Sequence, residues 1–253
     1  MADPGFDSVL RCVAGRGGGD AELSVTRTRD RRYEAREGRL DGIALADTVA
    51  LGLRVFRSGR MGFSYGFRGD AADLARMVEE AFFCADASDP DAAYGLPDAA
   101  GPATNLPLYD PSVETVAEAE KGEFARSLEA RALARDPRVK RVRTAALRET
   151  VSTVCLFHSR GFAATRRVSL CSAHVETVAE DNGDAQTGYG FGVARSLRGL
   201  DAEAIADEGA TRALRMLGAV RPKTGEDKVV LENGAAAELL EVRIPSFLSS
   251  QVA

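Results

Sequence analysis

Both histidines of this 253-residue chain, and two of its four cysteines, fall within CLFHSRGFAATRRVSLCSAH, residues 155–174. They form C-x-x-H twice, Cys155 with His158 and Cys171 with His174. Thiolates and imidazoles are the usual ligands of structural zinc, held in a tetrahedron at about 2.0–2.3 Å. Strand parity opposes that chemistry here. The stretch reads as strand, and residues three apart on a strand point to opposite faces. A turn is expected at Ser159-Arg160-Gly161, which pairs His158 with Gly161 and sets Cys155 near Ala164. Cys171 then lies about 23 Å further on, at about 3.3 Å per residue. The alternatives are packing residues on a hairpin, or an independent zinc enzyme built on Cys155, His158, Cys171 and His174; the spacing favours packing. With both histidines on strands, no general base of a Ser/His/Asp set is at hand, and no P-loop or nucleophile elbow occurs.

The second unusual stretch is DNGDAQTGYGFGVA, residues 181–194, where Gly188, Gly190 and Gly192 alternate with Tyr189, Phe191 and Val193. As a strand it has one face of bare backbone and one of aromatic or apolar side chains. A dinucleotide fingerprint needs G-x-G-x-x-G directly before a helix, and the following ARSLRGL is a poor helix start. Asp181, Asn182 and Asp184 do not supply the ligands of a calcium loop. Two readings stay open. Glycine permits close approach of neighbouring backbone, or the strand borders a groove where an extended peptide adds a strand. In the second reading the contact residues are Gln186, Gly188, Tyr189, Gly190 and Gly192.

Residues 21–67 read as strands, with a hairpin glycine in REGRLDG and Val49, Leu51, Leu53 and Val55 on one face. A helix follows, capped by Asp70, with Leu74, Met77, Val78, Ala81 and Phe82 at helical spacing. Residues 88–112 hold five prolines and read as a linker. A helix over roughly 113–135 ends at Asp136-Pro137. Strands return from Val139 to about Val193. The next helix is capped by Asp201, with Ile205, Ala213, Met216 and Leu217 as its buried stripe and Gly218 at its end. The fold class is therefore α+β: two repeated units of antiparallel strands followed by a helix. The expected domains are 1–87, a linker 88–112, 113–220, and the start of a further β-rich domain at 221–253, where Val229-Val230-Leu231 reads as a short strand before a helix-like AAAELLEV.

Composition narrows the function classes. The apolar content is 45%, the charged content 28% and the net charge −5. No run approaches the roughly 18 apolar residues of a membrane span, and no secretory signal is visible at the N-terminus. Four irregularly spaced cysteines do not form a disulfide framework, so a reducing, cytoplasmic setting is expected. The acidic balance opposes nucleic-acid binding. Residues 26–39 hold six arginines, but interleaved carboxylates make them a solvated strand face.

Several segments together resemble the TldD/PmbA family, labelled modulators of DNA gyrase, in its PmbA (TldE) branch. They are RRYEAREGRLDGIALADTVALGLRVFRSGRMGFSYG, DPSVET, DPRVKRVR, VAEDNGDAQTGYGFGVAR and RPKTGEDKVVLENGAAAELLEV. Members of that family are usually longer, so the chain looks like the N-terminal and central domains plus the first elements of a third. The resemblance implies a TldD–TldE heterodimer that degrades extended or unfolded peptides in a chamber. In it the TldD subunit supplies a helical H-E-x-x-x-H zinc motif shortly after a V-V-L strand. At the corresponding place this chain has Glu241-Val242-Arg243-Ile244-Pro245-Ser246. It lacks both histidines there, has valine where the glutamate would stand, and Pro245 is expected to interrupt a helix. The resemblance thus implies a subunit with no catalytic or metal-binding residue of its own, and zinc in a TldD-like partner. It also makes the gyrase label a matter of peptide turnover, not DNA contact. The alternative is a non-enzymatic peptide- or protein-binding scaffold without a protease partner.

Overall fold

Where the strands are covered, apolar residues recur at every second position, and the helices of the strand-bearing unit settle on that face. The computed structural model describes residues 4–97, 106–226 and 228–248. Of the proline-rich stretch 88–112, residues 98–105 lie outside the described residues, as do 249–253 of the apolar ending. Helix α1 (Pro4–Gly15) precedes strands β1 (Asp20–Arg36), β2 (Arg39–Arg57) and β3 (Arg60–Gly66) and helix α2 (Ala71–Ala87). A 3-10 turn at Pro111–Glu114 leads to α3 (Glu118–Ala134). Strands β4 (Val139–His158), β5 (Ala163–Asp181) and β6 (Asp184–Ala194) then precede α4 (Ala202–Met216). Strands-then-helix therefore occurs twice. Helix α1 has no counterpart among the sequence-derived elements, yet it buries Val9 and Val13. Met1–Leu217 forms one compact unit and Gly218–Ala253 another.

The two repeats share a single antiparallel sheet in the order β3-β2-β1-β4-β5-β6. They meet where β1 pairs antiparallel with β4, from Glu22↔His158 to Ala35↔Ala145. That order and direction relate the halves by an approximate two-fold normal to the sheet. Three hairpins close with both turn residues left-handed: Glu37-Gly38 (φ 53° and 73°), Ser58-Gly59 (52° and 70°) and Asn182-Gly183 (48° and 84°). These are the torsions of the type I′ turn, whose twist matches that of the flanking strands. The β4–β5 loop is longer by one residue. His158 N–H donates to the Phe162 carbonyl at 3.0 Å, with Gly161 left-handed inside the turn. Cys155 consequently pairs with Thr165, one residue beyond the Ala164 expected from a tighter turn.

Each half has its own core. Under α1 and α2 lie Leu23, Val25, Leu53 and Val55, with Leu74, Met77, Val78 and Phe82 from α2. Burying each of these large side chains contributes about 1.5–3 kcal/mol. Asp70 caps α2, its carboxylate accepting from Asp73 N–H at 2.9 Å. Under α3 and α4 lie Tyr33, Leu128, Leu147, Val175 and Ile205. The buried stripe of α4 is Ile205, Ala206, Gly209, Ala210 and Ala213, whereas Met216, expected inside, is half exposed. The shift follows from the floor beneath the helix, which is glycine and accepts only small residues.

The outermost strands present backbone to their helices. A Cβ on Gly62 of β3 would overlap the Ala81 carbonyl oxygen and stand 2.6 Å from Ala85 N, both in α2. A Cβ on Gly190 of β6 would overlap the Ile205 carbonyl oxygen and stand 2.7 Å from Gly209 N, both in α4. Side-chain hydroxyls stitch the same contacts: Ser64 Oγ donates to Met77 O at 2.7 Å, and Thr177 Oγ1 to Gly209 O at 2.8 Å.

Beneath α3 the sheet carries a buried ion pair. Lys121 Nζ lies 2.9 Å from Glu149 Oε1, with both side chains almost wholly enclosed. Tyr33 donates its hydroxyl to Glu118 in the first turn of α3. Burial and then the Glu149 charge push the neighbouring Cys171 thiol up to about 12.

In the second unit, α5 (Asn233–Leu248) contains Pro245 in its interior. The expectation that Pro245 interrupts the helix is corrected: among the described residues α5 continues through Pro245 to Leu248. Among the described residues Val229-Val230-Leu231 forms no strand. Among the described residues no helix is long and apolar enough to cross a membrane.

Gly62→Ala and Gly190→Ala should each lower unfolding free energy by about 2 kcal/mol, since backbone must move to admit the methyl. Equal control losses at Gly42, where a Cβ meets nothing within 4 Å, would remove that account. Lys121→Met should cost about 3–5 kcal/mol by stranding the Glu149 charge, while Lys121→Met with Glu149→Met should recover most of the loss. Denaturant melts of the two variants check this.

Candidate functional site

Strand β6 carries the candidate contact residues, and its two faces have separate tasks. Gly188 and Gly190 face the backbone of α4, and Gly192 faces the Ile205 side chain, where a Cβ would stand 2.9 Å from Cγ1. Of the two readings of the glycines, close approach of neighbouring backbone is the one found, and a bare backbone open to an added strand is opposed on two counts. First, α4 fills the glycine face. Second, the outward backbone groups at the centre of the edge are already engaged. Phe191 N–H donates to Glu208 Oε2 at 3.2 Å, and Arg212 donates to Tyr189 O at 3.1 Å. Glu208 and Arg212 are themselves paired one helical turn apart, at 2.8 Å. A charged pair on the edge of a sheet is a usual device against strand addition.

The other face of β6 is open. Tyr189, Phe191 and Val193 are about half exposed. His174 on β5 stacks beside Tyr189, centroids 5.7 Å apart, and Tyr189 continues to Phe191 at 6.3 Å. Burial, then the Arg32 charge, lowers the His174 pKa, and burial raises that of Tyr189. The ladder is thus a neutral aromatic strip at physiological pH. Gln186 is half-buried and its amide donates to Asp184 Oδ1 at 2.8 Å. A shallow groove of roughly 360 Å³ runs along the end of β6, between Phe191–Val193 and Leu200, Ile205 and Glu208.

The same construction recurs on β3 and is legible in MGFSYG beside TGYGFG. Phe63 and Tyr65 are exposed, Gly62 and Gly66 face α2, and Arg76 donates to Tyr65 O at 3.2 Å while bridging Glu80 at 2.6 Å. Matching the two segments by their alternation extends the expected repeat to these glycine-backed aromatic strands.

The C-x-x-H residues are not brought together. Cys155 and Cys171 share the helix-covered face, and His158 and His174 share the opposite one. Cys171 pairs with Glu149, six residues from Cys155 along β4, about 20 Å away. His158 stacks on Phe162 at 5.0 Å. Among the described residues no group of three or more His, Cys, Asp or Glu side chains is placed to hold a metal ion.

Comparison with known proteins agrees with this architecture. Residues 21–85 match PmbA/TldA metallopeptidase domain 1, and residues 111–217 match the PmbA/TldA metallopeptidase central domain. The metalloprotease PmbA of Escherichia coli O157:H7 is 26% identical over 247 residues, which is 94% of this chain and 53% of that protein. TldE from Thermococcus kodakarensis superposes with a TM-score of 0.70 at 15% identity, over 83% of this chain and 47% of that one. A candidate modulator of DNA gyrase from Bacteroides thetaiotaomicron superposes with a TM-score of 0.80 at 19% identity, over 97% of this chain and 58% of that one. The chain therefore spans about half the length of the relatives it matches. Two consecutive domain matches over one two-halved sheet make the assignment: the chain belongs to the PmbA/TldD family.

Proposed function

We propose that this chain is a PmbA/TldE-like subunit, without metal of its own, that supports proteolysis of extended peptides by a TldD-like zinc metallopeptidase partner. Family membership carries the reading, together with residues 241–246 of α5. That segment, EVRIPS, offers one carboxylate and no imidazole. Such a donor set does not fit a zinc site of the H-E-x-x-x-H kind, in which two imidazoles on one helix hold the ion. The zinc, and the water it activates, would belong to the partner. This chain would act by binding.

Peptide contact is assigned to the open face of β6. Of Gln186, Gly188, Tyr189, Gly190 and Gly192, only Tyr189 presents a large side chain to solvent, with Phe191 beside it. The glycines support that strip indirectly, by letting α4 lie close behind it. An unfolded peptide exposes apolar side chains, and a neutral aromatic strip binds them without demanding a sequence. The cytoplasm, where disulfide-free chains are kept reduced, is the proposed compartment.

Mixing this chain with a TldD-like subunit that carries H-E-x-x-x-H should yield a heteromer by sedimentation, and peptide cleavage that neither subunit shows alone. Tyr189→Ala with Phe191→Ala should reduce cleavage of an unfolded peptide about tenfold, at about 0.5–1.5 kcal/mol per aromatic contact, and leave heteromer formation intact. Full cleavage by the partner alone, with no heteromer, would overturn the subunit role. Unchanged cleavage by the double variant would overturn only the contact assignment.

A further inference from the structure

Strand β1 turns back at Glu37-Gly38, whereas β4 begins at Val139, before its first partner on β1 at Ala145. Residues 139–144 of β4 therefore have β5 on one side and a notch on the other. The notch is a cavity of about 600 Å³, bounded by the Glu37 turn, by Glu129 and Leu133 of α3 and by residues 140–143. Its volume is that of a small-ligand site. Two β-bulges fall in this short stretch. Val139 and Arg141 pair with Ala179 and Val178, and Val142 and Thr144 with Thr177 and Glu176, so Lys140 and Arg143 are extra residues. A bulge bends its strand and re-aims a side chain. Both extra residues are cations, and both line the notch.

The charges decide what the notch can hold. Arg143 is answered by Glu176 at 2.9 Å and Arg141 by Glu180 at 3.2 Å, both on β5. Glu129 is enclosed and accepts from Glu37 N–H at 2.7 Å and Gly38 N–H at 2.9 Å, which fixes the turn. Arg36 and Lys140 are exposed, and their side chains make no hydrogen bond or ion pair among the described residues. The Glu37 carboxylate stands on the same rim. Two free cations beside one free carboxylate leave a surplus of a single positive charge. That surplus suits a monoanion, whereas a phosphate dianion or a polyanion would meet Glu37 uncompensated. A bulged edge also resists a strand that runs through, so the end of a chain fits here better than its middle.

We propose that the notch binds the C-terminal carboxylate of an extended peptide through Arg36 and Lys140, with Leu133 and Val142 against its last side chain. The assignment rests on the reading of β6 as a peptide surface and names the class of peptide that surface takes. The strand register joins the two places. Tyr189 pairs with Glu176 and Glu176 with Thr144, one residue before Ala145, whose partner Ala35 directly precedes Arg36. Ala35 and Val175 face the helices, so Arg36 and Glu176 face the open side together with Tyr189. From Tyr189 to Arg36 is three strand spacings, about 14 Å. Four or five extended residues, at about 3.3 Å each, cover that distance. A peptide lying across the strands thus sets an apolar side chain on Tyr189 and Phe191 and its carboxylate in the notch.

Fluorescence anisotropy of a short, labelled apolar peptide, made as the free acid and as the C-terminal amide, tests the assignment. The acid should bind the purified chain about five- to tenfold more tightly than the amide, the effect of one charge-assisted contact. Arg36→Gln with Lys140→Gln should abolish that preference, and Tyr189→Ala with Phe191→Ala should weaken both peptides alike. The acid–amide comparison in wild type needs no variant to fold. Equal affinities, or a preference that survives the two glutamines, would overturn the notch and leave peptide contact at β6 standing. An amide ending in Asp that binds as well as the acid would overturn the assignment to a chain end. Binding of neither peptide would overturn this assignment together with the contact reading of β6.

Discussion

Helices α2 and α4 rest on polypeptide backbone, at Gly62 and Gly66 of β3 and at Gly188 and Gly190 of β6, and most of the architecture follows from that contact. A helix lying on glycine sits closer to its sheet than one lying on leucine, so the helix face must be small as well. This is why α4 buries Gly209, Ala210 and Ala213 and turns Met216 outward. Alternation then forces the remaining side chains of β3 and β6 to the far side, where Phe63, Tyr65, Tyr189 and Phe191 form two aromatic strips at the outer borders of the open face. Because α2 and α4 are held at the rims, the centre of the sheet is left for α3. The dry contacts and the exposed aromatics are two consequences of one alternating pattern.

The centre is held differently. Strands β1 and β4 carry residues of both cores: Leu23 and Phe157 pack with the first, Tyr33 and Leu147 with the second. Each repeat therefore completes the other, which is why the two family domains form one compact unit here. Where α3 crosses this seam it buries Lys121 on Glu149. An enclosed ion pair contributes little net stability, since desolvation offsets most of the attraction. Its strength lies in selectivity. Any shift of α3 along β4 would strand a charge in an apolar layer, so the pair fixes the register of the helix on the sheet.

Much of the fold was legible in the sequence because its signals are local. The turns at Gly38 and Gly59, the Asp70 and Asp201 caps and the stripe of α2 depend on neighbours within a few residues. The strand parity that separates cysteines from histidines is equally local. What stayed illegible depends on distant partners. GYGFG reads the same whether its glycine face meets a peptide or a helix, and only the position of α4 decides. The capping of Tyr189 and Phe191 requires Glu208 and Arg212, about twenty residues away, to arrive at the edge. Val229-Val230-Leu231 has strand composition but forms no strand among the described residues, and α5 runs through Pro245 to Leu248. Helix α1 carries a local signal as well, with Val9, Leu10 and Val13 at helical spacing, and Val9 and Val13 are fully enclosed.

A duplicated plan also shows where the halves have been put to different use. Both halves leave the first part of their second strand beyond the reach of the third, at residues 41–50 of β2 and 163–170 of β5. In the second half the chain between the repeats returns along that edge and bonds to Ser169, with Arg167 stacked on Tyr109. In the first half, Arg31 of β1 donates to Ala46 O on that edge at 3.4 Å. That stretch carries Asp41 and Asp47, the second held by Arg31 at 2.7 Å. Meanwhile the ionisable groups beneath α3 are committed to structure: Lys121 to Glu149, Tyr33 to Glu118, and Cys171 held protonated by its surroundings. With those groups engaged inside, the aromatic side chains of β3 and β6 stand on the opposite, open face of the sheet.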